Sequence, residues 1–583
     1  MNPNRPKVLT VVSVGLLALL TLCARARSQE APVASDYTHY RLVFLPGTFG
    51  GAVNHFLVGG THILNNEGSF VGWSDTPLPD PFPNNCWDAG ECIVAGAFEF
   101  RNGRMTDLGG LAPGFSSDTN WISPSGLISG EAQTGQAADE SIGGWTMHGI
   151  LWARGNMIDL GTLDGGPISL TTGVNDAAEV SGFALNTIPD PFSMFGGNQT
   201  RAYRWKNGVM KDLGTLGGPD AMALRINQRG QIAGNSYISL DPSDFCVLRT
   251  GGFIWENGNM SDLGGLGGTC TMVSDMNDRG QVVGGSLLAA DQAQHPFLWE
   301  RGKLTDLGTL GGNIATGVAI NEGGDVVGFA TLRPNDLIFH ATLWSKGRIL
   351  DLGALAPGGC SLATSVNSQL QVVGLNSSTC DLGDDPSFRA VISEHGGPMV
   401  DLNTLIPVNS GVELRNAPII NNRGQIVAVA FFPDGNHAPV LLVPCEGKSD
   451  QAESCQNSGT ASLGIQETPT RLLVQTKASQ LANEATSMEK KRLFWPDGPT
   501  KHAGEIVCAL QANSESSGIN WFCERRRCRF PDWERKRQAA GSRPQRVRRI
   551  GTHPELAFSK SHCRITPYLP VDVASGSCPE VRL

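Results

Sequence analysis

A short motif, Asp-Leu-Gly followed by Thr-Leu or a close variant, recurs along this sequence and ends as Asp-Leu-Asn in its last copy. Its copies begin at Asp107, Asp159, Asp212, Asp262, Asp306, Asp351 and Asp401. Successive copies lie 44 to 53 residues apart, a spacing typical of one β-propeller blade or a comparable all-β unit. Because one such unit cannot bury its own apolar face, the sequence predicts an array of similar small sheets.

Each unit has the same internal order of candidate strands. An alternating stretch ends in Asn, as at residues 224–227, and an Asn-x-x-Gly turn leads to a second strand, as at 280–284. A loop of variable length precedes a third strand that ends in Trp, as at 296–299, and a fourth strand runs into the Asp-Leu-Gly motif. Apolar and polar residues alternate in these stretches, which predicts a four-stranded antiparallel sheet. The 72 glycines of the chain suit its many tight turns.

Eight such turn elements can be counted. They are placed at Asn66, Ser125, Asn175, Asn227, Asn277, Asn321, Asn367 and Asn421. The last unit stops after its third strand at 438–443, while a lone strand at 40–45 precedes the first unit. We therefore predict an all-β fold, a β-propeller of about eight four-stranded blades that the N-terminal strand closes. A β-solenoid or other stacked β-array is the alternative, although no capping units are evident.

The three recurring motifs, taken in this order, resemble the HAF-type extracellular repeat family of bacteria. The resemblance covers residues about 40–443. The His-Ala-Phe of the third strand is kept only in part, at residues 295–297, 340–342 and 437–439. The resemblance implies a secreted repeat protein, and it implies no activity because members of this family have none assigned.

The chain divides into four predicted regions. Basic residues Arg5 and Lys7, an apolar run at 8–22 and Ala24-Arg25-Ala26 predict a signal peptide at 1–26 and export to the extracellular space or periplasm. A membrane anchor is the alternative, but the run is short for a bilayer span, and no span is expected after cleavage. The predicted propeller occupies 38–444, a linker 445–484 and a basic, disordered tail 485–583.

Charge separates the tail from the rest. Residues 1–480 have 27 Lys and Arg against 44 Asp and Glu, a net −17, whereas residues 481–583 have 18 against 11, a net +7. The net charge of the chain, −10, argues against a nucleic-acid partner. A basic arm for an anionic polymer is the alternative interpretation of the tail. We expect a monomer without cofactor.

Export permits disulfides, and eight cysteines stand in close sequence pairs. The predicted pairs are Cys86 with Cys92, Cys246 with Cys270, Cys360 with Cys380, and Cys445 with Cys455. Sequence alone does not fix connectivity, so local loop staples are a prediction. None of these pairs has Cys-x-x-Cys spacing and no His cluster accompanies them, so we predict no metal site.

The recurrent Asp and the third-strand Trp have two possible roles each. Seven equivalent carboxylates suit a cation site, or each Asp accepts a hydrogen bond from the turn that follows it. The Trp residues suit sugar stacking, or they fill the space between neighbouring sheets. Because a single active site needs residues that break the repeat, we predict the structural role for both sets.

No signature of a known catalytic site is present, so the residues that differ between units are the candidates for function. The loops between second and third strands are long in units one to four, and we predict that they recognise an extracellular protein or glycan. Their candidate residues are Asp80, Phe82, Trp87, Trp145, Asp190, Phe192 and Phe195. The opposing interpretation buries these aromatics under their own loops. The functional alternative is an extracellular polysaccharide hydrolase or lyase that uses two loop carboxylates, with Asp80 and Asp190 as the candidates.

Overall fold

The computed structural model describes residues 37–51, 53–56, 62–82, 86, 92–137, 144–243, 246–380, 387–445 and 455, together with two short strands near the C-terminus. The predicted signal peptide, nearly all of the predicted linker and tail, and the candidate Trp87 lie outside these residues. Of the predicted tail, only the paired strands Cys508–Gln511 and Asn520–Cys523 are described.

The first four repeat units each contribute four strands. Strand β1 (Tyr40–Phe44) precedes unit one, and the units contain β2 (Asn54–His55), β3 (Phe70–Pro79), β4 (Ile93–Arg101) and β5 (Arg104–Asp107); β6 (Ser117–Ile122), β7 (Ile128–Ala137), β8 (Trp145–Ala153) and β9 (Asn156–Asp159); β10 (Ser169–Val174), β11 (Val180–Pro189), β12 (Asn198–Lys206) and β13 (Val209–Asp212); and β14 (Ala221–Ile226), β15 (Ile232–Pro242), β16 (Leu248–Glu256) and β17 (Asn259–Asp262). Each fourth strand ends on the Asp of the recurrent motif.

The remaining units follow the same order, and unit eight has three strands of its own. They contain β18 (Gly267–Met276), β19 (Val282–Leu288), β20 (Gln294–Glu300) and β21 (Lys303–Asp306); β22 (Ala315–Ile320), β23 (Val326–Thr331), β24 (Phe339–Ser345) and β25 (Arg348–Asp351); β26 (Cys360–Val366), β27 (Gln371–Ser377), β28 (Arg389–Glu394) and β29 (Val400–Asp401); and β30 (Glu413–Ile420), β31 (Ile426–Phe431) and β32 (His437–Pro444). In this part of the chain the described helices are two 3₁₀ turns, Ala289–Asp291 and Leu402–Thr404.

Each unit is a four-stranded antiparallel sheet with its strands in chain order. Unit eight obtains its fourth strand from the N-terminus, because β1 pairs antiparallel with β32 from Tyr40 opposite Pro444 to Phe44 opposite Val440. Units four and five are joined by one parallel pair, Thr250 with Cys270. The all-β class, the four-stranded unit and the use of the N-terminal strand in the last sheet are confirmed.

The predicted local disulfides are all present. They join Cys86 to Cys92, Cys246 to Cys270, Cys360 to Cys380 and Cys445 to Cys455. Three of them lie within one unit or between neighbouring units, and the fourth follows β32 directly. They staple loops rather than distant parts of the chain.

The third-strand Trp residues belong to the core, as predicted. Trp152, Trp205, Trp255 and Trp344 are buried, and Trp299 is half-buried. The Trp152 indole N–H donates to the Leu108 carbonyl (2.9 Å), and that of Trp344 donates to the Gly308 carbonyl (3.1 Å). Both acceptors lie in the Asp-Leu-Gly turn of the preceding unit. The Trp therefore packs one sheet on the next and satisfies its own polar atom there.

The recurrent Asp fixes the turn that follows it, as predicted. In six units its Oδ1 accepts from the backbone N–H of the Gly two residues later, at 2.7 to 2.8 Å. In the last copy Asp401 accepts from Asn403 N–H at 2.9 Å. Third-strand residues also pair with this Asp, since His148, His295 and His340 each contact it at 2.8 Å. In two of the three partial His-Ala-Phe motifs, those of His295 and His340, the His thus holds the fourth strand to the third.

Replacement of Gly161 by alanine is expected to destabilise the fold by about 1 kcal/mol. Gly161 has a φ of +70°, which side chains other than glycine disfavour, and an added Cβ would have no atom within 4 Å. The whole cost is therefore conformational. Urea denaturation measures it, and Gly161→Asn should lose less because Asn tolerates this conformation better. Equal stability of the alanine variant and the wild type would contradict the assignment.

Six of the turn Asn residues each link their unit to the next one. The Asn side-chain Nδ2 donates to the backbone carbonyl of the equivalent Asn, as in Asn175 to Asn227 (3.2 Å), and the same bond recurs from Asn227, Asn277, Asn321 and Asn367. The Asn421 Nδ2 donates to the Asn65 carbonyl at 2.9 Å, from unit eight to unit one.

The turn positions predicted for the first two units were wrong by one or two residues. Glu67 N–H and Ser69 N–H donate to Asn65 Oδ1, so the turn begins at Asn65 rather than Asn66. In unit two, Leu127 N–H donates to Ser123 Oγ, so Ser123 rather than Ser125 holds this place. Both sites offer two suitable polar residues, and the strand register selects the first.

Candidate functional site

The two ends of each sheet differ in what they expose. The connections between second and third strands and those between successive units meet at one end, called here the loop end. The Asn turns and the turns between third and fourth strands lie at the opposite end, called the turn end. This follows from the antiparallel strand order and holds for every unit.

Exposed apolar side chains are concentrated at the loop end. Eight of the eleven large ones among the described residues lie there, namely Leu78, Ile188, Phe192, Leu240, Val247, Ile314, Leu337 and Val408. The other three, Met157, Val209 and Ile349, are on fourth strands. Sequence reasoning missed the aliphatic members of this set. A local sequence signal could have found two of them, because Leu78 and Ile188 each directly precede a Pro-Asp-Pro-Phe segment.

The two candidate loop carboxylates are buried. Asp80 and Asp190 are 4% and 7% exposed. The Oδ1 of each accepts from the backbone N–H two residues later, Phe82 in one unit and Phe192 in the other, at 2.8 Å. This is the Asx turn that Asp-Pro segments favour. Each carboxylate therefore fixes the backbone conformation of its own loop from a buried position.

The candidate aromatics divide into buried and exposed groups. Trp145 is buried, Phe82 lies 5.9 Å from the Phe115 ring, and Phe195 lies 5.2 Å from the Phe183 ring. These three pack beneath their loops, as the opposing interpretation expects. Phe192 is 47% exposed, so it is the described candidate that a partner can contact directly.

A second buried acid lies beside Asp190. Asp220 is fully buried, and its carboxylate accepts from Met194 N–H (2.6 Å) and Thr200 N–H (3.0 Å). The carboxyl groups of Asp190 and Asp220 lie within hydrogen-bonding reach of each other. Asp190 Oδ2 receives no N–H or O–H from the described residues. The pair thus has three amide donors for four oxygens.

Burial raises the pKa of Asp220 from 3.8 to about 7, and the neighbouring Asp190 carboxyl adds to this rise. The two amide bonds act in the opposite direction and do not offset it. Tyr237, next to both acids, has a raised pKa because of burial and because of their charge. The raised pKa of Asp220 beside a second buried carboxyl favours a proton on Asp220, from which it can donate to Asp190.

Four side chains from four different units meet in a cluster made of His62, Trp121, Arg225 and Asp275, called here the axial cluster. The Arg225 Nε pairs with Asp275 Oδ1 at 3.1 Å, and the guanidinium lies 5.7 Å from the Trp121 ring centre. The His62 ring stacks on Trp121 at 4.1 Å, and its Nε2 lies 3.9 Å from Asp275. Units one, two, four and five therefore converge at this point.

The pKa of Asp275 reflects this enclosure. Burial acts to raise it, but the contacts of His62 and Arg225 and the Ile320 N–H outweigh burial and lower the pKa below 3.8. Its charge is therefore matched within the cluster. Arg225 thus gives the buried Asp275 carboxylate a partner, without which its burial would be strongly destabilising.

No protein-family model and no curated protein matches this sequence.

Solved structures provide remote likenesses only. The chain is similar to the β-propeller domain of the Trilobed protease from Pyrococcus furiosus, at 11% identity and a TM-score of 0.35 over 60% of this chain and 98% of that one. It is similar to an acylaminoacyl peptidase from Pyrococcus horikoshii, at 11% identity and 0.35 over 65% and 58%. It is also similar to a Trypanosoma rangeli sialidase, at 10% identity and 0.25 over 68% and 57%. Likeness of this degree supports no transfer of activity.

The described residues form neither a candidate metal site nor a candidate membrane-spanning helix. No group of three or more His, Cys, Asp or Glu side chains in this part of the chain is arranged to hold a metal ion. Within the same residues, no helix is long and apolar enough to cross a bilayer. What the loop end offers chemically is apolar contact around Phe192 and the exposed aliphatic side chains, with acids buried below.

Proposed function

We propose that the eight sheets close into a β-propeller whose loop end binds an extracellular protein. Three contacts support closure. The chain of Asn bonds returns from Asn421 to Asn65, β1 completes the last sheet, and the axial cluster joins units that are distant in sequence. A closed ring also leaves no long open sheet edge.

Secretion is the second part of the proposal. Four disulfides, three in the repeat region and one directly after it, are consistent with an oxidising compartment outside the cytoplasm. We also propose membership of the HAF-type repeat family. The hydrogen bonds of the recurrent Asp, the turn Asn and the third-strand Trp give each recurrent residue of that pattern a place in holding neighbouring strands or units together.

The observation that most supports binding is the one-sided distribution of exposed apolar side chains. Exposed apolar groups cost free energy in water, and their concentration at one end is typical of an interaction surface. Most of them are Leu, Ile and Val, which suit the apolar core of a protein interface. Stacking on sugar rings uses exposed aromatic faces, and among these eight residues only Phe192 provides one. A protein partner is therefore favoured over a glycan.

The burial of Asp80 and Asp190 bears on the hydrolase alternative. General acid and base catalysis by a carboxyl pair requires both groups to reach the substrate. Both carboxyls lie under their loops and each holds a backbone N–H. Binding without catalysis is the function that this geometry supports better.

Replacing Leu78, Ile188 and Phe192 together by serine is expected to weaken binding to a protein partner about 100-fold. Each change removes an exposed apolar side chain without creating a cavity. The full-length secreted protein would be screened on arrays of extracellular proteins and of glycans, and the affinity for each hit measured for wild type and variant.

The matched control replaces Met157, Val209 and Ile349 by serine. It removes the same number of exposed apolar side chains, from fourth strands instead of the loop end. We expect its affinity to stay within about twofold of the wild type. Equal losses in the two triple variants, or hits confined to the glycan array, would overturn the proposed function.

A further inference from the structure

The segment of unit three that carries Phe192 is tied to the body of the protein through two buried acids. Asp190 begins this segment: its N–H donates to the Gly197 carbonyl at 2.9 Å, and its Oδ1 accepts from Phe192 N–H at 2.8 Å. Asp220, from the connection to unit four, accepts from Met194 N–H at 2.6 Å. Residues 190–197 are called the unit-three loop below.

The hydrogen-bond inventory of this pair lacks one donor. Asp220 uses both oxygens on backbone N–H groups, and Asp190 uses Oδ1 in the same way. Asp190 Oδ2 remains, buried and directed at the neighbouring acid. A proton on one of the two carboxyls supplies the missing donor and removes one of two adjacent buried charges.

Among the described residues, the groups around the pair do not supply a positive charge that could replace this proton. Tyr237 of β15 is neutral over the relevant range because its pKa is raised. Arg201 of β12 lies near, but its guanidinium pairs with Asp212 at 2.9 Å and donates to the Pro219 carbonyl at 2.9 Å. Tyr237 is a titratable group that interacts with both acids of the pair.

We propose that a proton carried by Asp220 bridges to Asp190 and holds the unit-three loop closed, and that loss of this proton frees the turn at Phe192 and weakens partner binding. When both carboxyls are ionised they repel each other, so Asp190 leaves the pair and releases its bond to Phe192 N–H. Asp220 keeps its two amide partners. The statement about binding rests on the proposed function, whereas the statement about the loop stands without it.

The direction with pH follows from proton linkage. The closed loop raises the pKa of Asp220 to about 7, and in the open loop, without Asp190 beside it, this pKa falls towards its ordinary value of 3.8. The closed state therefore binds the proton more tightly, and its advantage is complete below about pH 4 and is lost as pH rises through about 7. Loop closure should be tighter at pH 5 than at pH 8.

Hydrogen–deuterium exchange of the full-length protein tests the loop directly. The exchange measured on peptides that cover residues 190–200 is corrected for the chemical exchange rate at each pH. It should show that the loop opens about tenfold more often at pH 8 than at pH 5. Asp190→Asn should abolish this difference, since its amide can donate to Asp220 at any pH while its Oδ1 still accepts from Phe192 N–H.

Asp80→Asn is the matched control, because it makes the same change in the same Asx turn of unit one. It should leave the pH dependence of the unit-three loop as in the wild type. A wild-type loop with no pH dependence, or a dependence retained in Asp190→Asn, overturns the proposal. Protection of the loop at pH 8 by millimolar Ca²⁺ beyond its level at pH 5 also overturns it, because the pair would then be a cation site.

Partner affinity at the two pH values separates this inference from the proposed function. A loop that opens at pH 8 together with at least a threefold weaker affinity, absent in Asp190→Asn, supports both. A loop that opens with unchanged affinity supports the proton-held loop and overturns its link to binding, and the triple-serine variant then decides the proposed function independently.

Discussion

Replacing Tyr40 with alanine is expected to lower the free energy of unfolding by about 3–5 kcal/mol. Tyr40 begins β1, pairs with Pro444 of β32, and its side chain is fully buried. Its removal leaves a large cavity in the core that β1 shares with units seven and eight, and the strand that completes unit eight loses a fully buried anchor. Urea denaturation followed by circular dichroism measures the loss.

Tyr40→Phe provides the control for this experiment. The Tyr40 hydroxyl is buried and has no hydrogen-bond partner among the described residues. Removing it should leave stability unchanged or raise it by up to about 1 kcal/mol, because a buried unpaired polar group is costly. A loss below about 1 kcal/mol in Tyr40→Ala would show that β1 contributes little. A large loss in Tyr40→Phe would show that the hydroxyl has a partner.

The fold was predictable because the same pattern of residues recurs in several units, so each position can be interpreted from many copies at once. A single Asp before Leu-Gly could serve many purposes, but seven at equivalent positions indicate one structural role, and the bonds to Gly109 and its equivalents confirm it. The cysteine pairs were predictable for a similar reason, since each pair spans a short loop. Where a unit departs from the pattern, as at Asn65-Asn66, the prediction missed by one residue.

The candidate site was less predictable because exposure is decided by neighbours in space. The Pro-Asp-Pro-Phe segment is the same in units one and three, so it does not predict that the Phe82 ring contacts Phe115 while Phe192 remains exposed. The buried acids were also missed. A Glu within a strand, or an Asp in a connection between strands, is usually a surface residue. Glu131 and Asp220 are nevertheless buried, each beside another carboxyl and with backbone N–H groups as donors.

Glu131 lies at the centre of a polar network between units two and three. Its Oε1 accepts from Asn120 Nδ2 (2.9 Å) and from Thr171 N–H (2.8 Å), and the Asp118 carboxyl lies beside it. Burial raises the pKa of Glu131 well above 4.5, and Asp118 raises it further, against the lowering effect of Thr171. The acid is therefore most stable in its neutral form.

Glu131→Ala is expected to cost about 3–5 kcal/mol, because it opens a cavity and leaves Asn120 and Thr171 without their acceptor. Glu131→Gln should behave differently. Its amide oxygen can accept from Asn120 and Thr171, and its NH₂ can donate to Asp118, so no proton is needed. We expect its stability to lie within about 1 kcal/mol of the wild type at pH 5.

The pH dependence of stability separates Glu131→Gln from the wild type more clearly than a measurement at one pH. A folded-state pKa raised above the unfolded value stabilises the fold fully below about pH 4.5, and that stabilisation is lost as pH rises through the folded pKa. Glutamine does not titrate, so Glu131→Gln should gain stability relative to the wild type between pH 5 and pH 8. Urea denaturation at the two pH values measures the difference.

Glu179→Gln is the control with the opposite sign. Burial acts to raise the pKa of Glu179, but bonds from Lys206 and Arg204 outweigh it and lower the pKa. That carboxylate contributes stability above its unfolded pKa and loses it as pH falls through the folded value. Glu179→Gln should therefore be less stable than the wild type at pH 8, where Glu131→Gln is relatively more stable. If both variants changed stability in the same direction relative to the wild type at pH 8, the assignment of Glu131 as a neutral buried acid would be contradicted. Only a group that holds its proton in the fold gains stability from an uncharged replacement as pH rises.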